Sequence, residues 1–107
     1  MVAFVFTERL ELWDHSFRDD YRALAAPSTA AFGGKYITVS HNAVLLEGQR
    51  IPDMLSLIEF PTLAAAREWH ASAEYQAAVR IRNRGSRDRL LLFEASVPDY
   101  AVAAGAV

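Results

Sequence analysis

Val2 to Thr7 is a run of apolar and β-branched residues with no clear polar face, the pattern of a central strand covered on both sides. The period then changes. Asp14 suits a helix N-cap, and Phe17, Tyr21, Leu24 and Ser28 follow at spacings of four, three and four, which lays one stripe of a helix against a sheet. Pro27 has no N–H to donate and disfavours helix at Ala26, so the pattern predicts a kink or a short second segment from Pro27 to Phe32, ended by Gly33-Gly34. Lys35 to His41 reads as a strand centred on Tyr36, Ile37, Thr38 and Val39, and its mixed polarity predicts a sheet edge. Alternation places His41 on the same side as Lys35, Ile37 and Val39. Asn42 to Asp53, with Glu47-Gly48 and Pro52, is a polar connection longer than a hairpin needs, and loops of that length often carry function.

Met54 to Phe60 is a second strand apolar on both faces, interrupted by Ser56 and Glu59. Alternation divides it into Leu55, Leu57 and Glu59 on one face and Met54, Ser56, Ile58 and Phe60 on the other, and the larger set is expected against the helices. Thr62 caps the next helix, where Leu63, Ala66, Trp69 and His70 share a face. Ser72 is a fresh cap, with Glu74 in the first turn where the helix dipole favours an anion. Asn83 to Gly85 stops that helix after Arg80, Arg82 and Arg84 have placed cations near its negative end. Arg89 to Glu94 is the last strand, and its Leu90 to Phe93 is too apolar to face water.

The order strand, helix, strand, strand, helix, strand defines an α+β, ferredoxin-like βαββαβ fold, an antiparallel sheet with helices on one face. It occupies residues 1–95 as a single domain. Residues 96–107 are of low complexity and are expected to form a flexible arm, docked on a partner through Tyr100 and Val102. Nothing in the chain remains to cover the second sheet face, so a second copy is expected there, giving a homodimer of the dimeric α/β-barrel type.

Composition sharpens this. A hydrophobic share of 52% in 107 residues argues against disorder and leaves apolar surface for a partner. A net charge of -2 gives no basic excess for general nucleic-acid binding. The absence of cysteine rules out a disulfide framework, a thiolate metal site and a thiol nucleophile. No apolar run approaches membrane-spanning length, and the expectation is a cytoplasmic protein with no membrane partner.

Gly33-Gly34-Lys35-Tyr36, Leu46-Glu47-Gly48, Ile58-Glu59-Phe60-Pro61, Ala66, Trp69, Ser72-Ala73-Glu74-Tyr75 and Arg80 together resemble the domain-of-unknown-function 1330 family, within the dimeric α/β-barrel superfamily. The resemblance covers about residues 2 to 95 and implies a ferredoxin-like protomer, a dimer, and a cavity between sheet and helices or loops. It implies no agreed reaction. The wider superfamily includes cofactor-free monooxygenases, lactone isomerases, heme-dependent enzymes and ligand-binding domains. Family members often carry an arginine on the strand after the double glycine, where this chain has Val39.

Among residues that bear chemistry, Glu59 is the acidic group within an otherwise apolar strand, expected to face the intersheet cavity as a proton-transfer group or to be held by an arginine. His41, at the start of the long loop, is a second catalytic candidate, as base or ligand. Tyr36, Arg80, Tyr75 and Val39 are candidate substrate-binding residues, with Arg80 placed to hold Glu59 or a substrate carboxylate or phosphate. The three histidines are scattered, so neither a metal nor another cofactor is expected. The functional expectation is a small cofactor-free enzyme acting on a small organic substrate, carboxylated or polyketide-like, by proton transfer, isomerisation or oxygenation. A non-catalytic small-molecule-binding homodimer and a structural dimer are the alternatives.

Overall fold

A computed structural model describes residues 1–96. The elements are β1 (Ala3–Leu12), a 3₁₀ turn (His15–Phe17), α1 (Arg18–Ala31), β2 (Lys35–Ser40), β3 (Met54–Phe60), α2 (Leu63–Ala71), α3 (Ala73–Arg82) and β4 (Ser86–Glu94). The four strands form one antiparallel sheet in the order β2-β3-β1-β4, the ferredoxin-like arrangement that the element order predicts. From residue 97 onward the expected arm lies outside the described residues.

Three boundaries differ from the expectation, each for a local reason. β1 runs to Leu12 because residues beyond Thr7 still alternate, with Thr7 and Arg9 turned inward and Glu8 outward. β4 starts at Ser86, since Ser86 and Arg87 pair with Leu12 and Glu11, and Arg87 Nη2 donates to Glu11 Oε1 at 2.6 Å. Pro27 lies inside α1 without ending it. Its exposed position leaves the packed side to Ala25, Ser28 and Thr29, and both hydroxyls donate back to the Ala25 carbonyl.

The core lies on the helix side of the sheet. Val5, Ile58 and Phe60 meet Ala25 of α1 and Ala66, Trp69, Tyr75 and Ala78 of α2 and α3. Ser72 makes the break between α2 and α3. Its hydroxyl donates to the Trp69 carbonyl at 2.7 Å and accepts from the Tyr75 N–H at 3.2 Å, ending one helix and capping the next. Two glycines are obligatory. Gly33 has φ +80°, a left-handed conformation that ends α1, and a Cβ on Gly85 would collide with the Asp14 carbonyl.

The other face carries Phe4, Phe6, Leu55, Leu57, Leu91 and Phe93, which share it because they are direct cross-strand partners or alternate with the buried set. Phe4 and Phe93 touch at 5.7 Å between ring centroids. No element of the described chain covers this surface, as the sequence pattern predicts.

Trp69 is fully buried, 5.0 Å from the Phe60 ring and 4.0 Å from Tyr75. Trp69→Ala is expected to cost about 3 to 5 kcal/mol of stability. Thermal melting checks this, and an unchanged melting temperature would remove Trp69 from the core.

Candidate functional site

Between α1 and the sheet lies a cavity of about 340 Å³. Phe17 of the 3₁₀ turn and Tyr21 and Ala25 of α1 roof it, and α1 sets Arg18 and Arg22 along it. Thr7 and Arg9 of β1 with Ser56 and Ile58 of β3 form the floor. Tyr36, Val39 and His41 flank it at the β2 edge, and Tyr75 and Arg82 of α3 with Asp88 of β4 close it at the other. Four arginines and a single aspartate are among these residues, so the lining favours an anion.

The floor is polar where an ordinary core would be aliphatic. Register sets Thr7 opposite Ser56, and Arg9, two residues further on the same face, between Met54 and Asp88. Arg9 is only 5% exposed. Its Nε donates to Asp53 Oδ2 at 2.7 Å, and the Asp53 N–H donates to the Arg9 carbonyl at 2.9 Å, tying the end of the long loop to the sheet. Arg9 Nη2 is buried with no hydrogen-bond partner among the described residues. A buried donor left unpaired costs about 1 to 3 kcal/mol, more when it is charged.

A second buried arginine closes the far end. Arg82 follows Tyr75 by two helical turns and therefore returns to the same face of α3. Its Nη1 donates to the Tyr75 hydroxyl at 2.8 Å, and its guanidinium lies 6.0 Å from the centre of the Tyr21 ring. Asp88, whose side chain is buried, places Oδ2 3.7 Å from Arg82 Nε and accepts from Ser86 Oγ at 2.8 Å. Arg82 Nε itself has no hydrogen-bond partner among the described residues. Burial pushes the hydroxyls of Tyr21 and Tyr75 above the usual phenol range, so both are protonated donors at neutral pH.

Of the residues singled out from sequence, the cavity brings together Tyr36, Val39, His41 and Tyr75. A β-bulge makes this possible. Between Tyr36, opposite Ile58, and Val39, opposite Ser56, β2 carries one extra residue, so both side chains face the helices although they are three positions apart. Strict alternation would have separated them, so the grouping of Val39 and His41 with Lys35 is corrected here. Glu59 lies on the opposite face, in register with Phe4 and Lys35, and is not part of this cavity. Alternation from the buried Ser56 and Ile58 sends it there, the face the pattern predicts, while the cavity itself is on the helix side rather than between sheets. Arg80 is exposed on α3, and the inward-facing arginine is Arg82.

Arg9, Tyr21, Arg82, Asp88, Thr7 and Ser56 were not singled out as site residues. Their signal was present: an arginine two positions from Thr7 in a strand, a serine amid Leu and Ile, and an arginine seven positions after a packed tyrosine. Among the described residues no three His, Asp or Glu side chains converge as a metal site, and no helix is long and apolar enough to cross a membrane.

Residues 3–96 match the family described as "Domain of unknown function (DUF1330)". The chain is a member of that family. No curated protein matches it. Among solved structures it is similar to RPA0582 of Rhodopseudomonas palustris, a protein of unknown function, at 18% identity and TM-score 0.72 over 91% of this chain and 84% of that one. It is also similar to a dimeric ferredoxin-like protein of unknown function from Jannaschia sp. CCS1, at 10% identity and TM-score 0.66 over 89% and 100%. A third is SnoaB, a cofactor-independent oxygenase from Streptomyces nogalater, at 16% identity and TM-score 0.50 over 92% and 95%. At these identities the likeness establishes the fold.

If Arg9 is retained for a ligand and not for the fold, replacing it with an apolar side chain of similar length should not harm the empty protein. Asp53, at 46% side-chain exposure, can be solvated once its partner is gone. Arg9→Met is therefore expected to leave stability unchanged or raise it by about 1 to 4 kcal/mol in chemical denaturation, the range seen when poorly satisfied buried ion pairs become apolar. A loss of several kcal/mol would make Arg9 a structural residue.

Proposed function

We propose that this protein is a small enzyme that works as a homodimer on a small, partly apolar organic acid held in the helix-side cavity. The reaction is proton transfer, serving an isomerisation or an oxygenation whose chemistry resides in the substrate, and it calls on no metal or nucleotide. The observation that carries this reading is the polar, positively charged floor: Arg9, nearly fully buried, has an Nη2 with no hydrogen-bond partner among the described residues, beneath a cavity that also holds Thr7 and Ser56. A carboxylate would supply the missing acceptors in a charge-assisted, two-pronged contact. The apolar surfaces of Ile58, Val39 and Phe17 fit the remainder of such a molecule.

His41 is the proposed base. It lies at the cavity edge beyond β2, and an imidazole is suited to proton transfer near neutral pH. Tyr36 and Tyr75 orient the substrate, and Val39 contributes apolar contact. Glu59 and Arg80 lie elsewhere: Glu59 sits opposite Lys35 in the strand register on the outer sheet face, and Arg80 is exposed near the end of α3. The use of this fold by a cofactor-independent oxygenase supports chemistry without a bound helper group, as an analogy of fold. Because His41 is exposed, a purely ligand-binding role in the same cavity is the second reading.

The homodimer is inferred from the uncovered apolar face and from the dimeric Jannaschia neighbour. Light scattering at micromolar concentration should return twice the chain mass. A stable, well-folded monomer would defeat this part of the reading.

The acid is tested by thermal shift with aliphatic and aryl carboxylic acids against their methyl esters. Acids should raise the melting temperature and esters should not, with the response lost in Arg9→Met. An equal response to both would end the carboxylate reading. His41→Asn should leave acid binding intact while lowering the rate of deuterium exchange into a bound acid by about 10²- to 10⁴-fold. Unchanged exchange would remove His41 as base, and binding with no exchange in the wild type would favour the binding protein.

A further inference from the structure

The two inward arginines of the cavity are compensated differently, and this narrows the substrate. Arg9, on the floor and opposite Asp88 in the strand register, has a half-exposed salt-bridge partner, Asp53, and Arg18 and Arg22 add positive charge along α1. On the β4 side, Arg82 lies beside a buried carboxylate, Asp88, so that pair is close to neutral. A second full negative charge placed there would meet Asp88 in a poorly solvated site and be repelled. A neutral oxygen would not.

The Arg82 end is nevertheless rich in donors. Tyr75 accepts the Arg82 Nη1 hydrogen bond at 2.8 Å and shares a side-chain hydrogen bond with Tyr21, so the two hydroxyls together retain one O–H for a ligand, and Arg82 Nε, 3.7 Å from Asp88, has no hydrogen-bond partner among the described residues. Tyr75 is held rigidly, 1% exposed and stacked on Trp69 at 4.0 Å. A fixed neutral donor backed by a cation interacts modestly with a carbonyl oxygen but strongly once that oxygen gains charge. Such a site favours an enolisation transition state over its ground state.

We propose that the substrate is a short oxo acid whose carboxylate sits at Arg9 and whose ketone oxygen sits at the Tyr75–Arg82 end, with Tyr75 as the proton donor to that oxygen. This rests on the acid-binding reading above and extends it to the second polar group. In the step, the base at the rim removes a proton from the carbon next to the carbonyl, and the C–H electron pair forms the C=C bond. The carbonyl oxygen takes the Tyr75 proton, leaving an enol, a protonated base and a phenolate beside Arg82. In an oxo acid that carries a C=C bond beyond the deprotonated carbon, return of the proton from the base to the far carbon of the resulting dienol, with return of the enol proton to Tyr75, moves the double bond into conjugation and completes an isomerisation. Without that bond the proton returns to its own carbon and the turnover is read as exchange. No oxidant or reductant enters.

The experiment uses two matched pairs, phenylpyruvate with 3-phenylpropanoate and 4-oxopentanoate with pentanoate, each differing only in the ketone oxygen. Calorimetric titration of the wild type should show at least one oxo acid binding about tenfold more tightly than its partner. Protein-dependent deuterium incorporation next to its carbonyl should be visible by proton NMR. Tyr75→Phe, which keeps the ring against Trp69, should erase the preference and slow exchange by about 10²-fold or more. Equal affinity within both pairs in the wild type overturns the oxo-acid proposal while leaving acid binding intact, and needs no variant to fold. Preference and exchange both retained in Tyr75→Phe overturn it too. Failure of all four acids to bind defeats the acid reading itself, and this inference with it.

Discussion

Trp69 and Tyr75 lie on different helices, yet their ring centroids are 4.0 Å apart, and the hydroxyl of Ser72 bonds to the backbone of both residues. That arrangement sets the angle at which the chain turns from α2 into α3. With Phe60 5.0 Å from Trp69, it also fixes both helices on the sheet. Two turns after Tyr75, the same helix face delivers Arg82 to the edge of the cavity beneath α1. The core and the candidate site are therefore one construction: the aromatic stack that excludes water also aims the hydrogen bond between Arg82 and Tyr75.

The sheet divides its labour by face, and strand alternation enforces the division. On β1, Val5, Thr7 and Arg9 turn toward the helices while Phe4, Phe6 and Glu8 turn away. Apolar residues toward the Val5 end build the core, polar ones toward the Arg9 end build the cavity floor, and the opposite face carries Phe4, Phe6, Leu55 and Leu57 beside Glu8 and Glu59. A one-residue slip in register would exchange the cavity lining with that outer face. Two local irregularities break the pattern. β2, an edge strand, adds one residue between Tyr36 and Thr38, and β1 shifts register against β4 between Arg9 and Glu11, beyond its last pairing with β3, so neither insertion propagates through two neighbours.

The fold was legible because its signals are period and punctuation: two strands apolar on both sides, a glycine pair after a helix, and Thr62 and Ser72 as caps. These depend on nearest neighbours in the chain, and the helix break at Ser72 appeared where its cap predicted. The site was legible in part. Tyr36, Val39, His41 and Tyr75 converge on the cavity, but the alternation used to place the first three failed at the bulge, which the residues Lys35 to Ser40 do not advertise. Arg9 and Arg82 were harder still. A buried arginine looks like a surface arginine until its strand is seen to continue past Thr7, or until α3 is phased from Tyr75. Glu59 drew attention because it interrupts an apolar strand, but the face it occupies is opposite to the cavity.

Charge compensation along the cavity bears on the proposed function. Asp88 is buried with Arg82, so separating them would strand a desolvated charge, and the pair is best regarded as fixed. Asp53 is half exposed, so it neutralises Arg9 while keeping one side to water, and its release would carry a small desolvation cost. One arginine thus has a counter-ion that water can solvate, and the other does not. Under the acid-binding reading, that asymmetry orients the ligand: its permanent charge goes to the end where a counter-ion can leave. Its reacting oxygen goes to the end where the surroundings are already set before the reaction begins, so the dipoles there need little reorganisation as charge develops.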